Sequence, residues 1–156
     1  MTIREYAAGD AEAFRRLNEA WITRHFVLEK KDAEALSDPE GTILAAGGRI
    51  FFAVREGETV GCCALLAMVG GEFEIGKMAV TERVQGMGIG RRLLEGVIAE
   101  ARAAGARRLY LETNAKLTPA VRLYESVGFR HVPEERVVAS PYARANVYME
   151  MSWGDR

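Results

Sequence analysis

Cysteine is nearly absent from this chain: two among 156 residues, Cys62 and Cys63, and they are neighbours. In a strand, adjacent side chains point to opposite faces, so these two can neither pair readily nor chelate one ion. A disulfide framework is excluded, and buried reduced thiols in a cytoplasmic setting are expected. Histidine is equally scarce, since His25 and His131 have no partner at ligand spacing, and no metal is expected. No apolar run reaches the roughly 18 residues that a membrane span needs, and no charged-then-apolar leader opens the chain. Neither membrane insertion nor export is therefore expected. Charge of one sign is also lacking: 21 Lys and Arg against 22 Asp and Glu leave a formal net charge of −1. That balance gives no reason for nucleic-acid or anionic-membrane binding, although Arg83, Arg91 and Arg92 form a local basic patch.

What remains is an ordinary globular composition, 49% hydrophobic and 28% charged, without repeats, linkers or low-complexity stretches. It reads as one domain over 1–156, able to bury roughly 68 to 70% of its unfolded surface. Thr2 to Tyr6 reads as a strand, and Gly9-Asp10 opens a helix that Asp10 caps, with Phe14, Leu17 and Trp21 at helical spacing. Thr23 to Gly48 is less regular. It offers a short helix around Asp32 to Leu36, a turn at Asp38-Pro39-Glu40-Gly41 and the loose Ala45-Ala46-Gly47-Gly48, a segment suited to lining a site.

Ile50 to Arg55, Thr59 to Val69 and Glu72 to Val80 read as three antiparallel strands, joined by Glu56-Gly57-Glu58 and Gly70-Gly71. A helix follows from Gly88 to Ala104, with Ile89, Leu93, Leu94, Val97, Ile98 and Ala101 on one face and Gly105 at its end. Arg108 to Thr113 is a strand. Thr118 then caps a helix with Pro119 at its first position, on which Ala120, Leu123, Tyr124 and Val127 share a face until Gly128. Phe129 to Val132 and Val147 to Trp153 close the chain as strands around the polar loop Ser140 to Asn146.

The most informative stretch is Thr81 to Arg92. Gly86, Gly88 and Gly90 remove side chains where backbone N–H groups converge on a helix start, so an anion such as a pyrophosphate can approach the main chain. Arg91 and Arg92 sit in the first turn, where the helix dipole disfavours positive charge by ~0.3 to 1 kcal/mol. A bound polyanion reverses that sign. A Walker-type loop needs Gly-Lys-Ser/Thr, and Arg91-Arg92 stand there instead. A dinucleotide fold fits the position of Glu112, about 20 residues on, yet its third glycine falls at Arg91 or Leu93 and a hairpin meander precedes the turn.

Gln85-x-x-Gly88-x-Gly90 after Met78-Ala79-Val80 resembles the first signature of the GNAT acyl-CoA N-acyltransferase superfamily. Leu111-Glu112-Thr113-Asn114 with Ala120-Val121-Arg122-Leu123-Tyr124-Glu125-Ser126-Val127-Gly128-Phe129 resembles its second. The element order fits from about residue 2 to 153. The resemblance implies an α/β (α+β) fold: a mixed, mostly antiparallel central sheet of about seven strands, splayed between strands 4 and 5 and flanked by about four helices. It implies acetyl-CoA as co-substrate, its pantetheine arm on Met78, Ala79 and Val80, and its pyrophosphate on the backbone of Gln85, Gly86, Met87, Gly88, Ile89, Gly90 and Arg91. Asn114 is implied to face the same arm.

By the same resemblance Tyr124 protonates the departing thiolate. A phenol near pKa ~10 can supply a thiolate whose conjugate acid lies near ~8.5. Glu74, eleven residues before Gln85, is implied as general base, with Glu72 or a water chain as competitors. An amine of pKa ~10.4 costs roughly 4.6 kcal/mol to deprotonate at pH 7, so a carboxylate at ~4.3 is a weak base unless burial raises it. The acceptor wall is implied to draw on His25, Glu29, Asp32, Tyr142, Arg144 and Asn146. The expected activity is direct acetyl transfer to a primary amine of a small molecule in a ternary complex. No covalent intermediate on Cys62 or Cys63 is expected, for want of a nearby histidine, and a homodimer is plausible by resemblance. A non-catalytic acetyl-CoA sensor and a peptide N-acetyltransferase are the alternatives.

Overall fold

A computed structural model describes residues 1–153. Seven strands, β1 (Thr2–Glu5), β2 (Arg49–Arg55), β3 (Glu58–Ala67), β4 (Glu72–Val80), β5 (Arg108–Thr113), β6 (Arg130–His131) and β7 (Val147–Ser152), form one sheet in the order β1-β2-β3-β4-β5-β7-β6. All neighbours are antiparallel except β4 and β5. That parallel pairing covers only Glu72–Ile75 against Arg108–Leu111. Beyond it the two strands continue without hydrogen-bonding to each other, so the sheet is splayed between strands 4 and 5 as expected. A bulge accompanies the divergence. Ala64 pairs with Gly76 and Cys62 with Ala79, so β4 carries one residue more than β3 over this interval, which bends the strand. The extra residue lies at Lys77, whose φ of +50° is costly for a side chain with a Cβ.

Four α-helices cover the two faces: α1 (Ala11–His25) and α2 (Lys30–Ser37) on one, α3 (Ile89–Ala103) and α4 (Thr118–Ser126) on the other. The alternation of β3 sends Cys62 into the α1 side with Phe14, Leu17 and Phe52, and Cys63 into the α3 side with Leu93, Leu94 and Val97. Both thiols are buried and unpaired, so their separation onto opposite faces holds. No described helix is long and apolar enough to cross a membrane.

Local readings fail where a side chain found a better partner than the one its position suggests. Asp10 makes no cap bond to α1. Its carboxylate accepts two bonds from Arg4, at 2.7 and 2.9 Å, and one from the Ala7 N–H, a bidentate guanidinium pairing that occupies both oxygens. Thr118 is the first residue of α4 rather than its cap, a position Leu117 takes. Glu40–Leu44 forms a π-helical turn, closed by the Ala45 N–H on Glu40 O at 2.8 Å, in place of the simple turn read there. The strand read over Phe129 to Val132 shrinks to Arg130–His131.

Candidate active site

Where β4 and β5 part, the sheet opens into a cavity of about 190 Å³. From Gly76 to Val80 the β4 edge facing β5 has no strand partner. Met78 lines the cavity, while Ala79 is buried against the α1 side and neither it nor Val80 is part of the lining. Tyr124 enters from α4, half-buried, its ring edge-on to Phe129 at 6.2 Å. Its hydroxyl has no hydrogen-bond partner among the described residues, and burial, assisted by the nearby Cys63 thiol, raises its pKa and holds it protonated.

The glycine turn stands at the far end of β4. Gly86 and Gly88 have φ of +85° and +79°, and a Cβ on either would meet open space, so these glycines serve backbone conformation and approach. Gly90 is different: a Cβ there would make ordinary contact with Met78 and Val80 at 3.7 and 3.9 Å, so α3 lies against β4 with room for a methyl group at this position. The first helical bond of α3 runs from the Arg92 N–H to Gly88 O. The N–H groups of Gly86, Met87, Gly88, Ile89, Gly90 and Arg91 accordingly have no acceptor among the described residues, as at any open helix start. Gln85 is tied down instead, its N–H on Glu82 O and its side-chain amide donating to Val80 O. The Arg91 guanidinium donates to Ser126 Oγ at 2.7 Å and thereby pins α3 to α4.

Acidic groups gather at the fork. Glu74 of β4 lies in register with Tyr110 of β5, and Glu112 follows two residues later on the same face. Glu74 lines the cavity and accepts no hydrogen bond among the described residues. Burial, then the negative charge of Glu112, pushes its pKa up to about 7, against a smaller opposing pull from Lys77. Glu112 also lines the cavity and accepts from the Tyr110 and Ser140 hydroxyls at 2.9 and 2.6 Å. Glu72 is not part of the lining. It is ion-paired with Arg108 at 2.9 Å.

Of the residues expected in the acceptor wall, Tyr142 and Arg144 line the cavity. Asp32 stands behind them, fully buried. It accepts from both terminal nitrogens of Arg144 at 2.7 and 2.8 Å, from Lys77 Nζ at 3.0 Å and from the Glu29 N–H. Burial alone would raise its pKa, but Arg144, the Glu29 N–H and Lys77 together hold it down at about 2. Glu29 caps α2 and pairs with Arg144 at 3.4 Å. Lys77 Nζ also donates to the Tyr142 hydroxyl, so one buried carboxylate ties α2, the β4 bulge and the loop before β7 together, and this bonding offsets the strained backbone at Lys77.

His25 and Asn146 do not line the cavity. His25 packs against Trp21 at 5.0 Å with its pKa lowered, chiefly by burial, and Asn146 accepts from the Ala115 N–H. Asn114 does line it, with its amide already committed to Arg144 O and the Lys116 N–H. Sequence reasoning passed over Asn18, Trp21, Phe26 and Lys77 as site residues, and cited Glu112 only for its spacing after the glycine turn and its place in the Leu111-Glu112-Thr113-Asn114 signature. For Asn18 a signal existed: an amide among Phe14, Leu17 and Ile22 on the apolar stripe of α1.

A sheet splayed between β4 and β5, with a glycine turn opening a helix beyond the end of β4, is the architecture of an acetyltransferase fold. The family model described as the acetyltransferase (GNAT) family matches residues 11–129. The chain belongs to that family. Over 82 residues it is 43% identical to the IAA acetyltransferase of Azospirillum brasilense, which covers 52% of this chain and 54% of that protein. The chain thus spans about half the length of the curated relatives it matches. Its fold superposes on a GNAT-family acetyltransferase of Staphylococcus aureus Mu50 with a TM-score of 0.85 at 21% identity, over 97% of this chain and 98% of that one. A Salmonella typhimurium protein solved with its cofactor acetyl-CoA gives 0.75 at 22% identity, over 100% and 95%.

Proposed function

We propose that this protein moves the acetyl group of acetyl-CoA directly onto a primary amine of a small molecule. The observation that carries this reading is the shared gap: unbonded N–H groups at Gly86 to Arg91 lie beyond one end of the free β4 edge, and Glu74 and Tyr124 line the cavity. The cofactor's pyrophosphate sits on those N–H groups and the helix dipole of α3. Its pantetheine amides pair with the open edge of Met78, Ala79 and Val80, with Asn114 shaping the opposite wall. Free, buried Cys62 and Cys63 fit the reducing cytoplasm.

Glu74 takes the proton of the incoming ammonium, and the amine nitrogen attacks the thioester carbonyl. The C–S bond then breaks, the thiolate takes the Tyr124 proton, the remaining extra proton on the nitrogen returns to the Tyr124 phenolate to leave the neutral amide, and Glu74 gives its proton to solvent. Raising Glu74 from 4.5 to about 7 narrows the mismatch with an amine near ~10.4 by about 3 kcal/mol. The Arg108 pairing of Glu72 favours Glu74 over it as the base.

Release of coenzyme A from acetyl-CoA by purified protein, with a panel of amines, tests the reading. Tyr124→Phe is expected to lower kcat by roughly a hundredfold or more, the usual scale of general acid catalysis, with acetyl-CoA affinity nearly intact. Equal turnover removes Tyr124 from the mechanism.

A further inference from the structure

The charges around the cavity do not balance evenly. Two cations approach it, Lys77 and Arg144, and both are bound to Asp32, with Glu29 also on Arg144. Two carboxylates remain on the lining with no cation of their own among the described residues. Glu74 has no hydrogen-bond partner among the described residues, and Glu112 has only the two hydroxyls of Tyr110 and Ser140. Two donated hydroxyl hydrogens suit an ionised carboxylate, which is an acceptor at both oxygens.

A third acceptor faces the same space. Asn18 is 1% exposed and lines the cavity. Its Nδ2 donates to Phe14 O and Cys62 Sγ, while its Oδ1 accepts from none of the described residues. That oxygen is open to the cavity, since among the described residues the only buried side-chain nitrogen or oxygen without a partner is Arg24 Nη2, and a ligand N–H can use it as an acceptor. Trp21 and Ile22 supply apolar surface beside it.

From this we infer that the acceptor of the acetyl group is a short diamine-like molecule, with a second protonated nitrogen a few bonds from the reacting amine, and that Glu112 is the residue that selects it. This rests on the acetyl-transfer reading above. Glu74 and Glu112 sit on neighbouring strands, one in register with Tyr110 and the other two residues past it. Their α-carbons are therefore about 8 Å apart by strand spacing and rise, a span that lets one carboxylate meet each nitrogen. An α- or ω-amino acid fares worse. Its carboxylate would face Glu112, while Lys77 and Arg144 are already paired with Asp32 and Glu29, and like charge brought into a part-buried site is rejected.

Three acceptors with the same reacting end separate these cases: 1,4-diaminobutane, butylamine and 4-aminobutanoate. Their binding to the coenzyme A-loaded protein is measured by calorimetry, alongside acetyl-CoA binding and kcat/KM for each. The diamine is expected to bind and react best, and 4-aminobutanoate worst. The advantage of diamine over butylamine is roughly ten- to hundredfold, the range of a hydrogen bond to a charged group. Glu112→Gln, which keeps both hydroxyl contacts possible, is expected to collapse that ratio toward one. If acetyl-CoA binds while the diamine fails to bind, or binds no better than butylamine or 4-aminobutanoate, the inference is overturned and the acetyltransferase reading stands. If acetyl-CoA itself does not bind, both fall.

Discussion

Glu74→Gln separates catalysis from stability in a single substitution. In the folded protein the Glu74 carboxyl titrates at about 7 rather than 4.5, because burial and the charge of Glu112 disfavour its ionised form. The folded state therefore holds this proton more tightly than the unfolded chain. Glu74 helps stability fully below pH 4.5, and that contribution is lost as pH rises through 7. At 1.36 kcal/mol per pH unit the difference is about 3 kcal/mol by pH 8. Glutamine has nearly the same shape and no charge to desolvate, so the variant is expected to match the parent near pH 4. By pH 8 it should exceed the parent by about 3 kcal/mol, roughly 6 to 12 °C in Tm for a domain of this size. Urea unfolding at several pH values, followed by circular dichroism, reads the difference directly. The same variant should lose most of its transfer activity, whereas the parent's kcat/KM rises with pH through about 7 as the base ionises. A stability difference that stays flat from pH 4 to 8 would refute the buried, raised carboxyl and with it the base assignment.

Asp32→Asn should be strongly destabilising, by about 3 to 5 kcal/mol in denaturant titration, because it leaves Lys77 and Arg144 without their buried counter-charge; a loss under 1 kcal/mol would mean that the clamp is incidental. Gly88→Ala puts a Cβ on a residue at φ +79°, which costs about 1 to 2 kcal/mol. It should also weaken acetyl-CoA binding in calorimetry more than it weakens the fold, and unchanged affinity would remove this turn from the cofactor site.

Much of this architecture is legible in the sequence because it is local. The continuous apolar runs of β2 and β3, the apolar face of α3 and the glycine turn each announce themselves within about fifteen residues. Asp10 and Thr118 misled because capping preference competes with ion pairs and with small shifts in where a helix begins, which propensity does not rank. Residues of the cavity wall were named in part but not assembled: Asp32 meets Lys77 and Arg144 across 45 and 112 residues of chain, a pairing that no spacing rule discloses. Nor does a lysine advertise a positive φ, since the bulge at Lys77 is imposed by the register of β3 on β4. Glu74 was singled out by its position, yet its raised pKa comes first from burial at the fork and then from Glu112 across it, on a strand that diverges only in three dimensions.

A crystal structure of the protein with coenzyme A bound tests the central claim most directly. The account predicts the pantetheine arm between β4 and β5, the pyrophosphate on the N–H groups of Gly86 to Arg91, and the thiol sulfur within about 4 Å of the Tyr124 hydroxyl, as proton transfer to sulfur requires. Coenzyme A lying outside that gap, or its thiol far from Tyr124, would contradict it.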